Sequence, residues 1–178
     1  MAGAVFHIVF VMLIAEIIRE YFIKDNQKFP IHYIFIAGIG GILPDLDIVV
    51  FWIAYFFGFT INDVHRTFTH TIFFSAIFLA SSFFTTKIHW KFAGKHHLRL
   101  STILILLSLG ILIHLAIDAS LSGAIKLLYP FSSFEIGLNL VSFLPYSLSQ
   151  LVSPCLDAGT FIIFLIWMEY KHKLSRFI

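Results

Sequence analysis

The chain has 178 residues, 59% of them hydrophobic and only 12% charged, with a net charge of +2. Soluble domains carry roughly 25% charged residues, so this balance excludes one and reads as an integral membrane protein. No basic tract is dense enough for nucleic acid, the excess of Phe suits contact with lipid, and Cys155 as the only cysteine excludes a disulfide within the chain.

Gly3 to Ile23 is long enough to span, since roughly 20 apolar residues cross the hydrocarbon core. No basic segment precedes it and no small-residue cleavage site follows, so it reads as a span and not as a signal peptide. His7 lies near its start; near its far end Glu16 and Arg19 are spaced to pair as a structural contact. Lys24 to Lys28 is a polar loop, and Pro30 suits the first turn of a helix from Ile31 to Leu43. Gly38, Gly40 and Gly41 leave room there for close helix contact, and Pro44 stops the helix. The apolar run Ile48 to Phe59 is short for a crossing and is expected to lie in the interface or to re-enter. Asn62 to Arg66 leads into a third span, Thr67 to Thr86, with Thr67 as its N-cap.

Lys87, Lys91, Lys95 and Arg99 share a loop with His89, His96 and His97, and the positive-inside rule makes that loop cytoplasmic and its histidines solvated. Leu100 to Ile117 is the fourth span. Pro130, Pro145 and Pro154 break Asp118 to Pro154 into pieces that would cover a site. Cys155 to Tyr170 is the last span, with Asp157 as an N-cap and Lys171, Lys173 and Arg176 marking a second cytoplasmic end. The expected architecture is all-α: one integral membrane domain over residues 1–178, a polytopic transmembrane bundle of about five spanning helices plus a short interfacial or re-entrant segment.

Four stretches carry the chemistry. They are His7, Asp45 with Asp47, His65-Arg66 with His70, and His114 with Asp118. An i, i+4 pair lies on one helix face, so His114 and Asp118 point the same way. Ionisable groups at membrane depth are expensive to desolvate and need a metal, a counter-charge or water. Imidazole with carboxylate suits zinc, manganese or iron better than calcium, which prefers oxygen ligands alone. Threaded from a cytoplasmic Lys87 to Arg99 loop, all four stretches reach the outer face. His32 and His89 read as ordinary structural residues, and spacing leaves open whether Asp45 or Asp47 is the ligand, with Asp45 favoured.

The order His7, then Gly41-Ile42-Leu43-Pro44-Asp45-Leu46-Asp47, then His65-Arg66-Thr67-Phe68-Thr69-His70-Thr71, then His114-Leu115-Ala116-Ile117-Asp118, with Gly123 and Leu128-Tyr129-Pro130-Phe131, resembles a known family. It is similar to the predicted membrane-bound metal-dependent hydrolases, which include the LexA-binding inner-membrane-associated hydrolases. Thr67 and Thr71 stand where that family usually has Gly and Ser. A more distant likeness is to zinc-dependent phospholipase C and the single-strand-specific zinc nucleases. It implies one metal on Asp45, His70, His114 and Asp118, and a second shared by Asp118 and His7.

The expected protein is thus a metal-dependent hydrolase of the inner membrane, with one or two divalent ions, zinc first. Its expected partners are the lipid bilayer and a lipid or lipid-linked phosphate, its site is extracytoplasmic and its C-terminus cytoplasmic. Metal ligands would be His7, Asp45, His70, His114 and Asp118, with Asp47 and His65 catalytic and Arg66 binding the substrate phosphate. The alternatives are a divalent-metal transporter and a non-catalytic membrane scaffold with a structural metal.

Overall fold

The structure is a computed structural model that describes residues 3–88 and 97–173. Lys91, Lys95, His89 and His96 of the expected cytoplasmic loop lie outside the described residues, as does Arg176. The helices are α1 (Ala4–Ile17), α2 (His32–Ile42), α3 (Asp47–Tyr55), α4 (Ile61–Val64), α5 (Ile72–Phe84), α6 (Leu100–Leu121) and α7 (Tyr146–His172). Short 3-10 turns at Pro44–Leu46, Phe68–His70 and Leu140–Phe143 join them. No strand occurs among the described residues, which include only an isolated antiparallel bridge between Ile125 and Ile136.

Among the described residues two helices, α6 with 22 residues and α7 with 27, are long and apolar enough to cross a membrane, and α2 with α3 makes a third if that bent pair is one span. This corrects the expectation of about five. Ala4–Ile17 gives way to a π-helical stretch, Ile18–Ile23, whose turns carry Arg19 and Glu20 after Glu16, so the run is more charged than composition suggests. At 13 residues α5 rises about 20 Å, short of the roughly 30 Å hydrocarbon core. It also starts later than expected, because Thr71 and not Thr67 caps it: the Thr71 hydroxyl accepts from Phe74 N at 3.3 Å, whereas that of Thr67 donates to the Val64 carbonyl. In the other direction α6 runs on to Leu121, which keeps Asp118 inside the helix. Pro154 does not end a segment but sits within α7, where it lacks the N–H for one ladder bond and its ring crowds the carbonyl four residues back.

Glycine brings the three central helices together. On α2, Gly38 lies against Met12, Gly41 against the His7 carbonyl, and Gly40 against Leu107 of α6. A Cβ at Gly110 would stand 2.6 Å from the Ala37 carbonyl oxygen and 2.8 Å from Gly40 Cα. Gly110→Ala therefore has to push α2 and α6 apart and should destabilise the protein by about 1–3 kcal/mol. A lowered thermal midpoint in detergent checks this; an unchanged one would mean the helices have room.

Contacts also set the directions. α1 and α2 run antiparallel, α2 and α6 run parallel from Tyr33 and Arg99 to Gly41 and His114, and α5 returns antiparallel to α6 with Ser75 2.8 Å from Ser108. α7 runs parallel to α1, tied at one end by Asp157 and at the other by His172. Asp157 is thus no cap of its own helix. Lying inside α7, its carboxylate accepts from Phe6 N at 2.7 Å and caps α1 instead. The apolar core of Val11, Met12, Phe29, Tyr33, Ile34 and Leu106 fills the middle. His7, His70, His114 and Asp118 collect at one end of the bundle, and Glu16 and His172 at the other.

Candidate metal centre

Four separate pieces of backbone deliver the side chains of the cluster. The 3.6-residue period of α6 stacks His114 and Asp118 on one face, where both are buried. Positions two apart on a 3-10 turn point in different directions, because that turn takes three residues. Asp45 and Asp47 therefore separate at Pro44–Leu46: Asp45 faces His70 and His114, and Asp47 faces the loop holding His65. His7 arrives from α1, its ring stacked on that of His114 with centroids 4.0 Å apart.

The centre of the cluster is the pair His70 Nε2 and His114 Nε2, 3.4 Å apart. Asp45 Oδ1 lies 3.5 Å from the first and 3.6 Å from the second, and Asp118 Oδ2 lies 3.9 Å from each. His7 Nε2 is 3.4 Å from Asp118 Oδ1. Three overlapping groups, His70 with His114 and Asp118, His7 with Asp45 and His114, and Asp45 with His65 and His70, each bring potential ligand atoms within 4.8 Å of one another.

What lies behind the imidazoles fixes which nitrogen faces inward. The Gly41 carbonyl can only accept, so His114 Nδ1 donates to it at 2.7 Å and Nε2 is left as a lone pair. His70 Nδ1 sits 3.3 Å from Asp47 Oδ2, which can only accept, and its Nε2 lies 3.5 Å from Asp45 Oδ1. Asp47 also takes His65 Nδ1 at 2.9 Å, Arg66 N at 3.2 Å and the Thr69 hydroxyl at 2.9 Å. Those four contacts occupy the carboxylate of a buried residue, so Asp47 orients imidazoles and Asp45 is the acid left to face the centre.

Arg66 sits at φ +61°, a left-handed conformation uncommon for a side-chain-bearing residue, and its backbone N–H on Asp47 holds it there. Its Nη2 donates to Asp118 Oδ2 at 3.1 Å and its Nη1 to the Ser122 carbonyl at 3.4 Å. The guanidinium is therefore already engaged by the protein on one edge. Among the described residues, four buried side-chain nitrogens lack a hydrogen-bond partner, and three of them, His7 Nδ1, His65 Nε2 and Arg66 Nε, belong to this cluster. Buried polar atoms are normally satisfied, so three together set this end of the bundle apart from the rest of the described residues.

All eight residues singled out from the sequence meet here. Sequence reasoning assigns nothing to Thr69, which stands inside the His65 to His70 stretch, or to the Gly41 and Ser122 carbonyls, which carry no side-chain signal. Glu16 and Arg19 pair as expected, at 3.2 Å.

These features define a helical integral membrane protein with a buried His and Asp centre at one end of its bundle. Within that class the chain belongs to the YdjM inner membrane protein family, whose model matches residues 1–174. No curated protein matches it, and no solved structure does. Membership gives an integral inner-membrane location and says nothing of hydrolysis or of phospholipase C.

Proposed function

We propose that the protein is a membrane-embedded metal-dependent hydrolase acting on the phosphate ester of a lipid or lipid-linked carrier at the extracytoplasmic face. One observation carries the metal: His70 Nε2 and His114 Nε2 face each other at 3.4 Å, while the two Nδ1 atoms meet the acceptors Asp47 and the Gly41 carbonyl. With both imidazoles neutral, two lone pairs flanked by Asp45 and Asp118 would point at one another, an arrangement that a cation between them would relieve. Two imidazoles and two carboxylates suit zinc first and manganese or iron next. His7 with the free edge of Asp118 offers a second position.

When bound, a divalent ion lowers the pKa of coordinated water toward about 7 and polarises a phosphoryl oxygen. The chain's own residues supply the rest. Asp47 holds His65 and His70 in register. Arg66 keeps Nε and one N–H on each Nη for a phosphate oxygen, since a guanidinium has five donors and two are spent on Asp118 and Ser122. His7 to Tyr21 rises only about 21 Å against a core of roughly 30 Å, which puts the centre at or just below headgroup level, where a lipid phosphate resides.

The transporter alternative needs a matching set of ligands at the other end. Glu16, Glu20 and His172 do come within 4.8 Å of one another there. Arg19 and Lys171 already pair with those two carboxylates, at 3.2 and 3.6 Å, which argues against a second divalent ion. A structural-metal scaffold would leave no unpaired polar groups around a closed shell, against His65 Nε2 and Arg66 Nε.

The test is a screen of phosphoesters, acyl esters and peptides with purified protein, followed by Arg66→Lys. That change keeps the charge and loses the fork, so it should lower turnover of a lipid phosphate about 10- to 100-fold with metal content unchanged. Full activity, or a preference for acyl esters or peptides over every phosphate, would remove the phosphate reading. Orientation is checked separately: with Cys155→Ser as background, a cysteine engineered at Lys91 should resist an impermeant maleimide on intact cells, and labelling from outside would reverse the topology.

A further inference from the structure

The cluster is accessible at Asp45 and at Arg66, whose side chain is 21% exposed. The side chains of His7, His70, His114 and Asp118 are 0–4% exposed, whereas that of Asp45 is 23% exposed. Asp45 stands in the turn from which α3 departs, bent 52° from α2, and its neighbour Leu46 is exposed. From Ile48 to Tyr55 every residue of α3 is apolar, and Asp47 is its only buried residue. A helix apolar all round belongs in an apolar medium. Its surface continues that of Phe35 and Ile39, the exposed apolar residues of α2 on the same bent pair.

A second observation concerns the end of α3. Nine residues rise about 13.5 Å, so the whole apolar helix fits within the thickness of one leaflet, where backbone groups left open are costly. The chain meets that requirement itself. Gly58, at φ +85°, reverses the backbone; its N–H bonds to the Tyr55 carbonyl at 3.0 Å and that of Phe59 to the Ala54 carbonyl at 3.3 Å. This is a glycine-ended helix stop of the Schellman type, closing carbonyls that would otherwise lie open in lipid.

We infer that α3 is a half-helix immersed in the bilayer beside the Asp45 edge of the site, so that a lipid substrate presents its phosphate there sideways with its hydrocarbon chain still in the leaflet. This rests on the hydrolase reading and adds a route to it. The phosphate has no need to leave headgroup level, and the chain runs along the apolar surface of α3.

The experiment uses the full chain in phosphatidylcholine vesicles with Trp90→Phe and Trp167→Phe, which leaves Trp52 of α3 as the only tryptophan. Lipids brominated on their acyl chains should remove most of its emission and aqueous acrylamide little; the reverse pattern overturns the immersion of α3. The second arm compares a phosphomonoester on a long alkyl chain with the same ester on a short, water-soluble one, in wild type and in Ile53→Lys. The expected result is a selective loss on the long-chain ester with metal content and short-chain turnover retained. Equal rates on both esters in both proteins would overturn lateral entry while sparing the hydrolase. Turnover of neither ester, with Trp52 still quenched by bromine, would overturn the hydrolase while sparing the placement of α3.

Discussion

Purified protein is expected to carry about one to two divalent transition-metal ions per chain, and His114→Ala with Asp118→Ala is expected to abolish that content. The pair removes an inward-facing Nε2 together with the carboxylate shared by His7, His70 and Arg66. Asp118→Ala also leaves Arg66 without its buried counter-charge, a loss of about 3–5 kcal/mol for such pairs, so misfolding has to be separated from ligand loss. His70→Ala is the cleaner companion, because it deletes one Nε2 and leaves the Arg66 pair intact. A further readout follows from linkage. An ion that binds only the folded state at about 100 times its dissociation constant adds about 2.7 kcal/mol, so zinc should raise the unfolding temperature of wild type and not of the variants. Wild-type protein without metal by elemental analysis, or variants with unaltered content, would refute the centre.

Asp47→Asn is expected to weaken metal binding about 10- to 100-fold, although Asp47 does not face the ion position. An amide retains a single oxygen acceptor, and its NH2 cannot accept from His65 Nδ1 or His70 Nδ1, so one imidazole must turn or change tautomer. Unpaired buried donors also cost about 1–3 kcal/mol of stability each. Asp45→Asn acts differently: it removes an oxygen from beside the two Nε2 atoms while the groups behind both imidazoles stay in place. Titration of metal into apo protein, with circular dichroism to verify the helices, separates the two. Wild-type affinity in Asp47→Asn would show that Asp47 orients nothing.

Local regularities make part of this protein legible in its sequence. Composition alone gives membrane character, because 12% charged residues cannot cover a soluble surface. The pairing of His114 with Asp118 and of Glu16 with Arg19 follows from helical periodicity, which depends on no other part of the chain. Gly38, Gly40 and Gly41 are readable as a close contact because only glycine admits one there. What sequence cannot assign is whatever depends on the partner across the gap. Asp45 and Asp47 differ by two positions on one turn, and only the placement of His70 and His114 on one side and His65 on the other separates ligand from orienting acid. Thr67 and Thr71 are equal candidates for a cap until the Phe68–His70 turn postpones the helix. Asp157 reads as a cap of its own helix, yet caps α1 across 151 residues of chain, a choice made by the parallel packing of α7 on α1. The number of spans is likewise overcounted from hydropathy, which adds residues along the chain, whereas crossing requires a long regular helix, and the change to π-helix at Ile18 and the turn at Pro44 divide two of the runs. Sequence determined which residues carry the chemistry and how each lies on its own helix; tertiary packing alone decided which of them meet, because those contacts join residues 18 to 156 positions apart that no local period relates.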